Sequence, residues 1–138
     1  MSIIQTQTTS FKKELYEAVH NLSTDTLKIA LYTGNANLNE DTTVYTTSNE
    51  VVASGYTAGG NTLTGVTLSS ADYTAYVNFA NTSWTAALTA RCALIYNVTQ
   101  GNKSIAVIDF GADKTSTTTF TITMPANTST TALIRSSN

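Results

Sequence analysis

The chain contains little charge. Asp, Glu, Lys and Arg make up 12% of its 138 residues, which is about half the usual share. The seven basic residues are scattered, and the formal net charge is −2. Because nucleic-acid binding leaves a clustered basic footprint, no nucleic-acid partner is expected. No apolar run reaches the length that spans a membrane, so no membrane partner is expected either.

Reactive side chains are also scarce, since the sequence has one cysteine and one histidine. Cys92 lies in an apolar run, which is typical of a small buried residue rather than of a nucleophile. His20 follows a helical pattern, and we interpret it as a residue at the helix C-terminus, where the helix dipole favours it. No phosphate loop, dinucleotide fingerprint or nucleophile elbow occurs. We therefore predict a protein that is not an enzyme and binds no cofactor.

Two oxygen-rich patterns partly match a metal site or an acid–base site. Asn and Asp side chains alternate over residues 35–41, as in a calcium-binding loop. The pattern lacks the central glycine, and Thr46 stands where such a loop has its last carboxylate. Asp109 and Asp113 form a second acidic pair, which ordinary turn chemistry explains. The sequence thus predicts a solvated loop, no metal site and no catalytic residue.

Threonine is the most abundant residue and sets the fold class. The sequence has 28 Thr, with 13 Ser and 12 Asn. The branched β-carbon of threonine suits a half-buried pleated strand and disfavours a helix. A chain of this length also matches one domain with its own core. We therefore predict a single, mostly β domain over residues 11–138.

One helix is predicted near the N-terminus. Its apolar residues recur at helical spacing, and its charged residues lie elsewhere around the wheel. Thr9 or Ser10 is the expected N-cap, and the polar run 23–26 is expected to end the helix. The apolar face consists of Phe11, Leu15, Ala18, Val19 and Leu22.

Seven or eight strands are predicted after the helix, at a spacing of about ten residues. Residues 27–32 alternate as a strand with one face in the core, and a polar loop follows at 33–43. Residues 88–97 and 104–110 are nearly continuously apolar, which favours an antiparallel pair at the sheet centre. Alternation at 118–124 predicts a half-exposed strand. This order favours an antiparallel β-sandwich or flattened barrel with one N-terminal α-helix.

Residues 1–10 have no periodic pattern and are predicted to form an N-terminal arm. They lack the basic and apolar regions of a signal peptide, so we expect synthesis and folding in a cytoplasm. The arm carries Ile3 and Ile4 among polar residues. One alternative is a frayed terminus. The other is a tether in which Ile3 and Ile4 contact a partner, by adding a strand to an exposed sheet edge of a neighbouring subunit.

Five segments of the chain resemble a known protein family. They are the helix and first strand at 11–33, Gly-Tyr-Thr-Ala-Gly-Gly at 55–60, Ala-Leu-Ile-Tyr-Asn at 93–97, Ala-Val-Ile-Asp-Phe-Gly at 106–111 and Ala-Leu-Ile-Arg at 132–135. Together they resemble small virion structural proteins of tailed bacteriophages, from about residue 11 to residue 135. Arg91-Cys92-Ala93 departs from the Arg-Gly-Ala expected at that place.

Within that family the chain looks most like a capsid decoration (cement) protein, which binds the outer head shell and bridges neighbouring capsid subunits. The resemblance implies the virion as location and the major capsid protein or other virion proteins as partners. It also implies a homo-oligomer on the virion. A neck or tail structural component is the first alternative. A carbohydrate-binding module is the second, and it would require the tyrosines to line one exposed groove.

Overall fold

The fold is mostly β-structure, as the composition predicts. The computed structural model describes residues 2–137, in which twelve strands and one helix follow one another. The strand number exceeds the seven or eight predicted, because two- and three-residue strands leave no periodic signature. The helix α1 is Thr9–Tyr16, and the strands are β1 Ser2–Ile3, β2 Thr6–Gln7, β3 Leu27–Tyr32, β4 Asn37–Leu38, β5 Asn61–Thr62, β6 Thr67–Ala71, β7 Thr74–Asn78, β8 Thr82–Trp84, β9 Thr89–Asn97, β10 Lys103–Thr115, β11 Phe120–Ile122 and β12 Ile134–Ser137.

A five-stranded sheet, ordered β2-β10-β9-β3-β5, forms the centre of the domain. All of its neighbouring strands pair antiparallel. Ile95 lies opposite Ile29 on one side and Ala106 on the other. The predicted antiparallel pairing of 88–97 with 104–110 is therefore confirmed. Because β9 is the middle strand, both of its faces are covered, which explains its nearly unbroken apolar sequence.

Both faces of this sheet are buried. Ile29 points into the main core, whereas Ala30 and Tyr32 point into a second apolar cluster on the opposite face. All three are 0% exposed, so the prediction that β3 has only one face in the core is wrong. Leu38 and Tyr45, from the loop region after β3, cover the second face. This loop region therefore acts as a packing layer rather than as a solvated connection.

A second layer of strands packs over the main core and makes the fold sandwich-like. It consists of a three-stranded antiparallel sheet, ordered β12-β7-β6, and the antiparallel pair β11–β8. Trp84, Phe120 and Ile134 extend from this layer into the core. Phe120 and Ile122 are buried and Thr121 is exposed, so the predicted alternation of this strand is confirmed. The remaining pair, β1–β4, is parallel.

Helix α1 starts earlier and ends earlier than its pattern predicts. The N-cap is Thr8, whose side chain accepts a hydrogen bond from the Phe11 N–H. Ala18 then takes a left-handed φ of 58°. The Asn21 side chain accepts from the backbone of the following turn, an alternative that competes with helix formation. Leu22 reaches the core from this loop rather than from the helix. No helix within residues 2–137 is long and apolar enough to cross a membrane.

The structure corrects the predicted arm at residues 1–10. Strand β1 pairs with β4, β2 pairs with the outer edge of β10, and residues 8–10 cap and begin α1. Residues 2–10 therefore belong to the domain, whereas Met1 lies outside the described residues. Two-residue strands gain their hydrogen bonds from partners that are distant in the chain, which local periodicity does not reveal.

Candidate functional site

Ile3 and Ile4, which were predicted to contact a partner, lie in a segment that is paired within the domain. Ile3 lies opposite Leu38, and the Ile4 N–H donates to the Leu38 carbonyl at 3.0 Å. The Ile3 side chain is half-buried against the second apolar cluster, whereas Ile4 is 44% exposed. Ile3 thus serves the packing of the domain itself, and only Ile4 presents substantial apolar surface outward.

Thr8 fixes the place where this segment turns into α1. Its side chain is fully buried, and its Oγ1 lies 2.9 Å from the Ser104 Oγ. The Thr8 N–H donates to the Ile105 carbonyl at 3.0 Å. Because the same hydroxyl also caps α1, one residue joins helix, segment and central sheet. The chain between Gln5 and Gln7 is thereby held along the outer edge of β10.

Gln5, Thr6 and Gln7 form one rim of a cleft between the two sheets, which we call the N-terminal cleft. It has three compartments, of about 590, 410 and 410 Å³. Gln5 lines the first two compartments and Gln7 lines the last two, so the three lie next to one another. In the first two compartments one side is formed by β10 and the other by β11, β12 and their connection, whereas the third lies between α1 and β12. The apolar residues that line the largest compartment are Ile108, Phe110, Phe120, Ile122, Met124, Pro125 and Leu133.

Strand edges border the cleft. Strand β2 pairs with β10 only at Ala106 and Val107. Just beyond this pairing, the Asp109 N–H donates to the Gln5 Oε1 at 3.1 Å. Across the cleft, the Gln7 Nε2 donates to the backbone carbonyl of β12 at Arg135, at 2.7 Å. Glutamine side chains thus satisfy one backbone donor of β10 and one backbone acceptor of β12 at these edges, and an extended peptide that added to either edge would replace these contacts.

The N-terminal cleft carries few charges. Lys114 lines the largest compartment, and Lys12 and Arg135 line the outermost one. No Asp or Glu of the described residues lines any of the three compartments. An uncharged segment could be buried there with little desolvation of charge.

His20 lies in a buried polar network rather than at a helix end. Since α1 ends at Tyr16, the interpretation of His20 as a helix-terminal residue is wrong. Its Nε2 is 2.9 Å from the Glu14 Oε1, and its Nδ1 is 2.9 Å from the Asn97 Nδ2. Asn97 also donates to the Asp25 Oδ2 at 2.8 Å. Both ring nitrogens therefore have partners within the fold, and the network ties the loop after α1 to β9.

Cys92 is buried at 0% exposure, as predicted. Burial, reinforced by the nearby Asp109 carboxylate, raises the pKa of the thiol to about 12, which keeps it protonated and unreactive at neutral pH. Asp109 is held by Arg91 in an ion pair at 3.2 Å. It also accepts from the Gly111 N–H at 2.8 Å. Asp109 therefore orders the irregular stretch of β10 that follows it, and Asp113 lies exposed in the same strand.

The oxygen-rich loop at 35–41 is occupied by its own hydrogen bonds. The Asn39 amide donates to the Asn37 Oδ1 at 3.2 Å. The Asp41 N–H in turn donates to the Asn39 Oδ1 at 2.9 Å. Across the described part of the chain, no three His, Cys, Asp or Glu side chains gather as a metal site requires. These contacts are those of ordinary turns.

Glu50 was missed by sequence reasoning, although it is the one acidic residue in the described range that is buried. Its Oε1 accepts from the Tyr45 hydroxyl at 2.6 Å. Its Oε2 accepts from the Tyr56 hydroxyl at 2.5 Å and from the Gly59 N–H at 2.8 Å. Burial, together with the bonds to Glu50, raises the pKa of both tyrosines. One carboxylate thus holds residues 33–60, the segment between β3 and β5 that we call the covering loop, over the central sheet.

A sequence signal for Glu50 does exist. It is the only charged residue between Asp41 and Asp72, and tyrosines stand five residues before it and six residues after it. An isolated acid in an uncharged, tyrosine-bearing stretch is a candidate for a buried carboxylate bonded by hydroxyls. The position alone does not say which tyrosines turn toward it.

No protein-family model, curated protein or solved structure matches this chain. The candidate site is therefore defined by the geometry of the domain. It consists of the N-terminal cleft, the strand edges that border it and the exposed Ile4 at its N-terminal end.

Proposed function

We propose that this chain is a structural protein of a tailed-bacteriophage virion, and specifically a capsid decoration protein that binds and stabilises the assembled head shell. The observation that carries the proposal is that the potentially reactive side chains lie in the interior, whereas the surface offers a cleft bordered by strand edges. Cys92, His20 and Glu50, whose side chains could do chemistry, are buried in internal contacts. The N-terminal cleft, in contrast, offers strand edges and mostly uncharged side chains to another protein. The resemblance over residues 11–135 supplies the phage context.

Shell decoration needs binding and no catalysis. A protein that binds only the assembled shell stabilises that state by mass action. Many copies on one particle multiply the effect, because each shell subunit held by two neighbours dissociates less often. In this proposal the major capsid protein is the main partner and neighbouring copies of the chain are further partners. The protein is made in the host cytoplasm and resides in the virion.

The same surface would serve a neck or tail component, which is the first alternative. The carbohydrate-binding alternative has less support. Tyr32, Tyr56 and Tyr96 are buried and unavailable for stacking on a sugar. The two most exposed tyrosines, Tyr16 and Tyr73, lie on the separate elements α1 and the β6–β7 hairpin. They therefore do not line one groove together.

The test is to locate the chain on purified virions by cryo-electron microscopy and to measure binding of the purified protein to expanded, empty head shells. We expect density on the outer head surface and saturable binding to shells but not to unassembled capsid subunits. Density confined to the neck or tail would favour the alternative. Absence from the particle would refute the proposal.

A pair of variants tests the N-terminal cleft as the binding surface. Thr121 is exposed and lines the largest compartment, so Thr121→Arg places a bulky charge there without entering the core. Ser83 is its exposed cross-strand neighbour on β8 and does not line the cleft. We expect Thr121→Arg to lower shell occupancy and Ser83→Arg to leave it unchanged. Equal occupancy for both variants would move the contact elsewhere on the domain.

A further inference from the structure

The β6–β7 hairpin carries an aromatic side chain at its tip that is almost fully exposed. The two strands pair in unbroken register up to Ala71 and Thr74, so Asp72 and Tyr73 alone form the tip. Tyr73 is 94% exposed. All five residues of β6 are exposed as well. The tip therefore stands at the end of the three-stranded sheet, with the phenol ring exposed.

The tip holds Tyr73 in a strained backbone conformation. Asp72 and Tyr73 have φ values of 52° and 62°. Two-residue hairpin turns with both central residues at positive φ favour Asn-Gly or Asp-Gly, because a Cβ at the second position is penalised. Asp suits the first position, but a bulky side chain at the second does not. The other non-glycine residues with positive φ in the described part of the chain are Ala18, Asn49, Asp72 and Asn102, all of them small or tolerant of this conformation.

The direction of the tip is fixed by its neighbours. The Asp72 Oδ2 accepts a hydrogen bond from the Ser129 Oγ at 2.9 Å. Ser129 and Thr74 both line the middle compartment of the N-terminal cleft. The tip is therefore tied to the C-terminal segment and stands beside the cleft rather than on a remote face.

We propose that Tyr73 is a docking residue that inserts into a concave, largely apolar pocket on the head-shell protein, and this inference rests on the proposed function. A bulky side chain that strains the backbone and is 94% exposed among the described residues indicates a stabilising contact outside the domain. Tyrosine is enriched among the residues that dominate protein interfaces, where it fills a pocket and keeps its hydroxyl hydrogen-bonded.

The charge pattern favours a protein pocket over other partners. Between residues 51 and 90, Asp72 is the only charged residue, and it is already hydrogen-bonded to Ser129. A nucleic acid or an anionic membrane would call for lysine and arginine around the tip. A sugar is held in a concave site, whereas this tip is convex. Asp72 is the one charged residue at this convex tip, and its hydrogen bond from Ser129 offsets part of the cost of desolvating it when the tip enters a protein pocket.

The test is Tyr73→Gly, which leaves the favourable Asp-Gly turn and keeps the Asp72–Ser129 hydrogen bond. We expect its melting temperature to rise by a few degrees, while its Kd for empty, expanded head shells increases by about 30-fold or more. Tyr73→Asn, which also tolerates positive φ, should behave alike. Val52→Ala is the control, because Val52 is an apolar residue that is 97% exposed but has no positive φ and lies outside the N-terminal cleft, and it should bind like the wild type.

The outcomes separate this inference from the proposed function. Wild-type protein that fails to bind shells would refute the proposed function and this partner together. Wild-type binding that Tyr73→Gly matches would overturn the docking role of Tyr73 alone. Equal loss in Tyr73→Gly and Val52→Ala would also overturn it, because the effect would then follow exposed apolar surface in general. Binding lost in Tyr73→Gly and kept in Val52→Ala supports it.

Discussion

Replacing Glu50 with alanine should remove the contact that holds the covering loop on the central sheet. The carboxylate accepts from two tyrosine hydroxyls and one backbone N–H, of Tyr45, Tyr56 and Gly59. The Tyr56 hydroxyl also accepts from the Leu31 N–H at 2.9 Å. Truncation at Glu50 therefore leaves three donors without their acceptor, next to a strand at the centre of the fold.

The magnitude follows from counting those donors. A buried donor left unpaired costs about 1–3 kcal/mol. Three donors predict a loss of roughly 3–5 kcal/mol in the free energy of unfolding, below the plain sum because the half-buried Tyr45 hydroxyl can turn to water. This is a large part of the stability of a typical domain, about 5–15 kcal/mol. Glu50→Gln, which retains the shape and one carbonyl acceptor, should lose about 1–3 kcal/mol.

Urea unfolding followed by tryptophan fluorescence measures this loss. Trp84 is the only tryptophan, and its ring centroid lies 5.9 Å from that of Tyr56, so its emission reports on the same region. Glu40→Ala is the control, because Glu40 is exposed and lies in a turn. A Glu50→Ala free energy within about 0.5 kcal/mol of the Glu40→Ala value would refute the reasoning, since the buried carboxylate would then contribute nothing.

Three further predictions concern the segment, the core and the titrating groups. Deleting residues 2–7 should lower the melting temperature by about 3 °C or more in calorimetry, because the pairings β1–β4 and β2–β10 are lost. An unchanged melting temperature would mean that this segment is a frayed terminus after all. In urea unfolding, Ile95→Ala should cost about 2–5 kcal/mol and the exposed Thr121→Ala less than about 0.5 kcal/mol, and equal losses would contradict the central place of β9. Burial raises the pKa of Cys92 and of Tyr96 to about 12, so both bind their protons more tightly in the folded chain. Stability should therefore be complete below about pH 8.5 and fall as the pH rises from there toward 12; a constant urea midpoint across that window would be inconsistent with these shifts.

Local sequence determined the parts of the fold whose signal repeats within one segment. The threonine-rich composition predicts strands because a branched β-carbon suits a pleated surface. The apolar runs at 88–97 and 104–110 predict the central pair, since only strands covered on both faces tolerate them. The alternation of Phe120 and Ile122 with Thr121 predicts a half-buried strand. Burial of Cys92 also follows from its apolar neighbours in the chain.

Tertiary structure decided where elements end and which short segments pair. The apolar spacing through Leu22 continues past the end of α1, but the chain turns at Ala18, which has a φ of 58°, and the Val19 N–H donates back to the Glu14 carbonyl, so the helix ends at Tyr16. The polar loop after β3 became a packing layer because Glu50 and its tyrosines lie within hydrogen-bond reach only once the loop folds over the sheet. No local pattern encodes that reach.

The candidate site, too, was decided by the tertiary structure and not by local sequence. The N-terminal cleft exists because Gln7 meets Arg135, 128 residues away in sequence, and because Thr8 meets Ser104, 96 residues away. Sequence analysis identified Ile3 and Ile4 as apolar residues in a polar segment, but it could not place one against the domain and the other outward. Periodicity records how a segment relates to one surface, whereas these contacts depend on the closure of loops that span most of the chain. The central strands of the core could therefore be predicted largely from local sequence patterns, whereas the proposed binding surface was decided by pairing between residues that are distant in the chain.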